Sequence, residues 1–169
     1  MTKILLVEDD KSLREIYSVR LLAEGYTLIS SGDGEEALAA AIGEKPDLII
    51  SDVMMPKISG FEMLDLLRSN DATKNIPVIM LTALSSEQQR DRGNRLGADR
   101  YLIKSQVGIE DIVRTVHEVL GDSNQNRNLD QMQTSVATSA VHPVSATSTT
   151  AQTSNQQQTS GLFPASTEP

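Results

Sequence analysis

The chain has 169 residues, no cysteine and a formal net charge of −8. Without cysteine there is neither a disulfide framework nor a thiolate metal site, and the acidic balance argues against nonspecific nucleic-acid binding. The first apolar run, Ile4 to Val7, is too short for a signal peptide or a membrane span, so a cytoplasmic protein without membrane contact is expected.

The composition divides the chain. From Asp122 to Pro169, 27 of 48 residues are Ser, Thr, Asn or Gln. Such a segment buries too little apolar surface to offset its ordering entropy. A compact domain over residues 1–121 and a disordered tail over 122–169 are predicted.

Ile4-Leu5-Leu6-Val7 reads as a strand covered on both faces, followed at once by Glu8, Asp9 and Asp10. Leu13, Ile16, Tyr17 and Leu21 form one helical stripe, and Gly25 ends that helix. Tyr26 to Ile29 is a short strand, and Ser30-Ser31-Gly32-Asp33-Gly34 a loop by its turn chemistry. An Ala-rich helix over Glu35 to Glu44 stops before Pro46. Leu48-Ile49-Ile50-Ser51-Asp52 is a strand that ends in a carboxylate. A helix from about Gly60 to Arg68 follows, with Phe61, Leu64 and Leu67 or Leu66 facing inward. Pro77 to Thr82 is a fourth strand. Ser85-Ser86-Glu87 opens a helix that ends near Leu96, with Gly97 as its C-cap. Tyr101-Leu102-Ile103-Lys104 is a fifth strand, and Ile109, Ile112, Val113, Val116 and Leu120 mark a last helix.

Five strands alternating with five helices predict an α/β fold: a doubly wound, five-stranded parallel sheet with right-handed crossovers. The order 2-1-3-4-5 sets the ends of strands one and three side by side, where ligands of such sheets bind. Glu8, Asp9 and Asp52 then share one crevice. Three carboxylates repel each other unless a cation neutralises them, and hard oxygen ligands favour Mg²⁺, with Mn²⁺ the alternative. Thr82 and Lys104 end the neighbouring strands. A hydroxyl and an ammonium beside a metal-bound carboxylate describe a phosphoryl site, with Asp52 as nucleophile. The metal would bridge Asp9, Asp52 and the backbone carbonyl of Met54.

On Ile4 to Asp10, Asp52-Val53-Met54-Met55-Pro56 with Gly60, Leu81-Thr82-Ala83, and Gly97-Ala98-Asp99 with Tyr101 and Lys104, residues 3–121 resemble the receiver domain of bacterial two-component response regulators. The resemblance implies a flavodoxin-like, CheY-like (βα)5 fold. It implies Asp52 as phosphoacceptor, Glu8 and Asp9 as the acidic pair, Thr82 and Tyr101 as switch residues, and Lys104 as the phosphate contact. The implied donor is a histidine kinase or a histidine phosphotransfer protein. The domain would be no enzyme toward other substrates, catalysing only its own phosphorylation and dephosphorylation. The output surface would be helix 4, strand 5 and helix 5, where Arg90, Arg92, Arg95 and Arg100 either meet an acidic protein or form a solvated helix face. The tail has no helix-turn-helix pattern and no basic cluster, so a protein contact without direct nucleic-acid binding is expected.

One position departs from the family, which usually has a cis proline after the lysine; here Ser105 follows Lys104. A non-proline cis bond costs about 2.5–4 kcal/mol, so either that strain is kept or the loop takes another path. Met54 and Leu84 border the approach to Asp52. Both are apolar and would exclude water from an acyl phosphate, giving a long-lived phosphorylated state. The rival readings are a pseudo-receiver scaffold that works without phosphorylation, and a haloacid-dehalogenase-type phosphatase. The second needs an acid two residues after the nucleophile, where this chain has Met54.

Overall fold

The computed structural model describes residues 1–83 and 85–121. The tail predicted for 122–169, and the side chain of Leu84, lie outside the described residues. Five strands alternate with helices: β1 Lys3–Val7, α1 Lys11–Ala23, β2 Thr27–Ser31, α2 Gly34–Glu44, β3 Leu48–Asp52, α3 Gly60–Ser69, β4 Val78–Thr82, α4 Glu87–Arg95 and β5 Arg100–Ile103. A fifth helix, α5, spans 109–121. All strand pairs are parallel, and the sheet order is β2-β1-β3-β4-β5. The predicted topology is therefore observed.

Every residue of β3 and β4 is buried, as continuous apolar runs between two helical layers require. One layer packs Tyr17 and Leu21 of α1 and Ile112, Val113, Val116 and Val119 of α5 against Ile4, Leu6, Leu48, Ile50, Ile79 and Leu81. The other packs Ala37 and Ala41 of α2 and Phe61, Met63, Leu64 and Leu67 of α3 against Leu5, Val7, Ile49, Val78 and Met80. Alternate residues of each central strand thus face opposite layers.

Helix starts follow the caps written in the sequence. Asp10, Asp33, Ser59 and Ser86 each accept a hydrogen bond from a backbone N–H of the first turn. Ser59 and Glu62 form a reciprocal capping box. Gly97 follows α4 with φ +87°, a left-handed conformation glycine adopts without penalty.

Two expectations need correction and one open alternative is resolved. Ile16, placed on the inward stripe of α1, is exposed, as are Val19 and Leu22. The helix buries only Tyr17 and Leu21 because α5 and the sheet meet it along a narrow seam. β2 begins at Thr27 and continues through Ser31, where a loop was expected, because Ser30 and Ser31 pair with Leu6 and Val7 of β1. Of the pair Leu66 and Leu67, Leu67 is buried and Leu66 exposed.

Candidate active site

The sheet register assembles the site. Val7 pairs with Ser51, which sets Glu8 level with Asp52; Asp52 pairs with Leu81, and Thr82 with Ile103. Glu8, Asp52, Thr82 and Lys104 therefore gather at one edge, each where an apolar strand gives way to polar chain. Glu8, Asp52 and Thr82 are buried, Asp9 is exposed, and Lys104 lies between.

The Lys104 ammonium donates to Asp52 Oδ2 at 2.6 Å and to Glu8 Oε2 at 2.7 Å. Asp52 Oδ1 accepts from the Met54 N–H at 3.0 Å, and Glu8 Oε1 from the Asp10 N–H at 3.3 Å. Both buried carboxylates thus have charge-assisted and backbone partners, which buried charges require. Burial pushes the Glu8 carboxyl above its usual range; Lys104 opposes this without cancelling it, and the Asp52 charge adds to it. Burial also acts to lower the Lys104 ammonium, but its hydrogen bonds to Asp52 and Glu8 win, so its affinity for the proton is raised.

Carboxylate oxygens of Glu8, Asp9 and Asp52 lie within 4.8 Å of one another. Three hard anionic oxygens in so small a space, one on an exposed side chain, fit a divalent cation such as Mg²⁺. Lys104 neutralises part of this charge and leaves an acidic surplus. The structure brings together Glu8, Asp9, Asp52 and Lys104, with Met54 touching Asp52 through its N–H. Thr82 stands at the same edge, where its carbonyl accepts from the Lys104 N–H at 2.7 Å. No peptide among the described residues is cis. With the Lys104–Ser105 link trans, the ammonium lies on both carboxylates.

Tyr101 points inward. Its ring stacks on Phe61 with centroids 6.4 Å apart, and a Cβ added to Gly93 would lie 2.9 Å from Tyr101 Cδ2. Among the described residues its buried hydroxyl has no hydrogen-bond partner. Sequence reasoning did not foresee the contacts made by Phe61, Gly93, Arg14 and Lys57. Arg14 donates to the Glu8 carbonyl at 2.5 Å, and Lys57 pairs with Asp33 at 2.8 Å. The inward face of Phe61 was legible from its helix, but none of these contacts has a local signal, since the fold supplies each partner.

The model of the response regulator receiver domain matches residues 4–117. The DNA-binding dual master transcriptional regulator RpaA of Synechocystis is 38% identical over 120 residues, covering 71% of this chain and 49% of that protein. A probable transcriptional regulator, ycf27, of Porphyridium aerugineum is 41% identical over 129 residues, covering 75% and 52%. The chain thus spans about half the length of these curated relatives. The chemotaxis response regulator CheY4 of Vibrio cholerae superposes with a TM-score of 0.66 at 37% identity, covering 70% of this chain and 98% of that one. The receiver domain of sensor histidine kinase PA1611 from Pseudomonas aeruginosa, with magnesium coordinated in its active-site cleft, gives 0.65 at 26% identity, covering 71% and 98%. Among the described residues no helix is long and apolar enough to cross a membrane.

Proposed function

Since this chain belongs to the response regulator receiver domain family, we propose that Asp52 is its phosphoacceptor, loaded from a phosphohistidine of a kinase or phosphotransfer protein. The observation that carries this reading is Lys104, whose ammonium spans Asp52 and Glu8 at hydrogen-bond distance. Asp52 Oδ attacks phosphorus, the P–N bond to the donor histidine breaks, and an acyl phosphate forms. Lys104 follows the negative charge from the Asp52 carboxylate onto the new phosphoryl oxygens. Thr82 offers its hydroxyl to another of these oxygens. Asp9, Asp52 and the Met54 carbonyl would hold Mg²⁺, or Mn²⁺ in its place, with Glu8 behind them. When bound, the ion supplies positive charge to the transferring group. Catalysis is then positioning and charge neutralisation, confined to the domain's own phosphorylation and dephosphorylation.

The phosphoryl group adds about −1.5 to −2 charges. Thr82 turning toward it and Tyr101 filling the space it vacates would bias the surface of α4, β5 and α5, on which Arg90, Arg92, Arg95 and Arg100 lie. A protein partner reads that surface. The intact acidic set and lysine favour phosphotransfer over a pseudo-receiver scaffold, and Met54 disfavours a phosphatase. The test is incubation with a small acyl phosphate and Mg²⁺, followed by intact mass. The full chain gains one phosphoryl group and Asp52→Asn gains none. An unmodified wild-type chain, or a modified Asp52→Asn chain, overturns the proposal.

A further inference from the structure

The loop between β3 and α3 delivers Met54, and its path is clipped from outside. Lys57 sits at its turn with φ +65°, a left-handed conformation unusual for a side-chain-bearing residue. Its ammonium reaches across to the β2–α2 loop and meets Asp33 Oδ2 at 2.8 Å, with Glu35 Oε2 further off at 3.6 Å. Asp33 is itself fixed: its Oδ1 caps α2 by accepting from the Glu36 N–H at 2.9 Å, and its carbonyl accepts from Ser31 Oγ at 3.0 Å. Beside this pair, Gly34 admits the Ile58 carbonyl so closely that a Cβ would lie 2.5 Å from it. At the near end the loop is tied to the acceptor itself by the Met54 N–H on Asp52 Oδ1, and Gly60 N donates to the Val53 carbonyl at 2.9 Å. One end of the loop therefore rests on Asp52, and its tip is held by a partner on a different, capped element.

We infer that Lys57 and Asp33 are positioning residues: their ion pair holds the left-handed turn so that the Met54 backbone stays in place for the divalent cation. The inference rests on the metal-binding reading of Glu8, Asp9, Asp52 and Met54 given above. The competing account is a simple field effect, and the two differ in sign. By field alone, removing the Lys57 charge tightens cation binding and removing the Asp33 charge weakens it. A geometric clip weakens binding whichever partner is lost.

Asparagine suits both tests. At 57 it tolerates the left-handed turn, and at 33 it keeps a cap for α2. The experiment titrates Mg²⁺ into the full chain by calorimetry for wild type, Lys57→Asn, Asp33→Asn, the double variant and Lys57→Arg, with melting temperatures in chelator alongside. Each single asparagine variant should bind Mg²⁺ about two- to fivefold more weakly, the range an exposed pair commands. The double variant should be no weaker than the singles, since they share one interaction. Lys57→Arg, which keeps the pair, should retain wild-type affinity. Tighter binding by Lys57→Asn, or unchanged affinity in both single variants with only the melting temperature moved, overturns the clip. Binding that Asp52→Asn weakens but the pair variants leave untouched removes the clip and keeps the site. A wild-type chain that takes no Mg²⁺ removes both.

Discussion

Lys104 holds the charge balance of the crevice. Its side chain is 16% exposed, and the Glu8 and Asp52 side chains beneath it 1% and 6%. Replacing the ammonium leaves two buried carboxylates facing each other, and breaking a buried pair costs about 3–5 kcal/mol. Lys104→Met should therefore lose about 3 kcal/mol in urea unfolding near neutral pH in chelator. Burial holds the Glu8 carboxyl above its usual range. A carboxyl whose folded affinity for protons is raised stabilises the fold more as pH falls, so the deficit of Lys104→Met should shrink on acidification. A loss under about 1 kcal/mol near neutral pH would show that water, rather than the lysine, satisfies these carboxylates.

At the scale of elements, α4 differs from its neighbours. Residues 87–95 are Glu-Gln-Gln-Arg-Asp-Arg-Gly-Asn-Arg, with no long apolar side chain, and only Gly93 is buried. The helix rests on the fit of Gly93 against Tyr101 and Phe61, with the Arg92 guanidinium 4.8 Å from the Phe61 ring centre. Gly93→Ala sets two effects against each other. Helix propensity favours alanine by about 1 kcal/mol, whereas a methyl 2.9 Å from the Tyr101 ring overpacks at about 1–3 kcal/mol. Overpacking should win, and amide exchange across α4 should quicken while β3 and β4 stay protected. Slower exchange in α4 would mean that propensity governs the helix. This also explains what was legible beforehand. The strands with uninterrupted apolar runs and the helices with Asp or Ser caps announce themselves, because burial on two faces and capping are local matters. The site was legible because its acidic and basic residues sit at strand ends. Ile16 was misplaced because its burial depends on how far α5 reaches across α1. The contacts of Lys57 and Gly93 were hidden because their partners, Asp33 and Tyr101, are fixed by the fold and not by spacing.

At the scale of the molecule, α1 is tied to α5. Arg20 pairs with Glu24 on its own helix and reaches Glu110 of α5 with both Nε and Nη2, at 2.9 and 2.7 Å. His117 of α5 meets Glu24 at 3.2 Å and the Tyr26 hydroxyl at 3.1 Å. The Arg20 hydrogen bonds hold the Glu24 and Glu110 carboxyls below their usual range. Carboxyls lowered in this way stabilise the fold above their unfolded values, and that contribution disappears as pH falls through the folded ones. The penalty of Arg20→Gln should thus be constant above about pH 5 and fade below about pH 4. A penalty that stays level into acid would place the role of Arg20 in packing instead of charge.

The same tie has a consequence in time. Glu110 follows Arg20 by 90 positions, and chains are synthesised at about 5–20 residues per second. For about 5 to 18 seconds of each chain's synthesis, α1 exists before the helix that will cover it. During that interval Tyr17 and Leu21 lack Ile112, Val113, Val116 and Val119, the α5 residues of their cluster. The nascent chain is then open to wrong associations, and the hazard closes when α5 is made and docks.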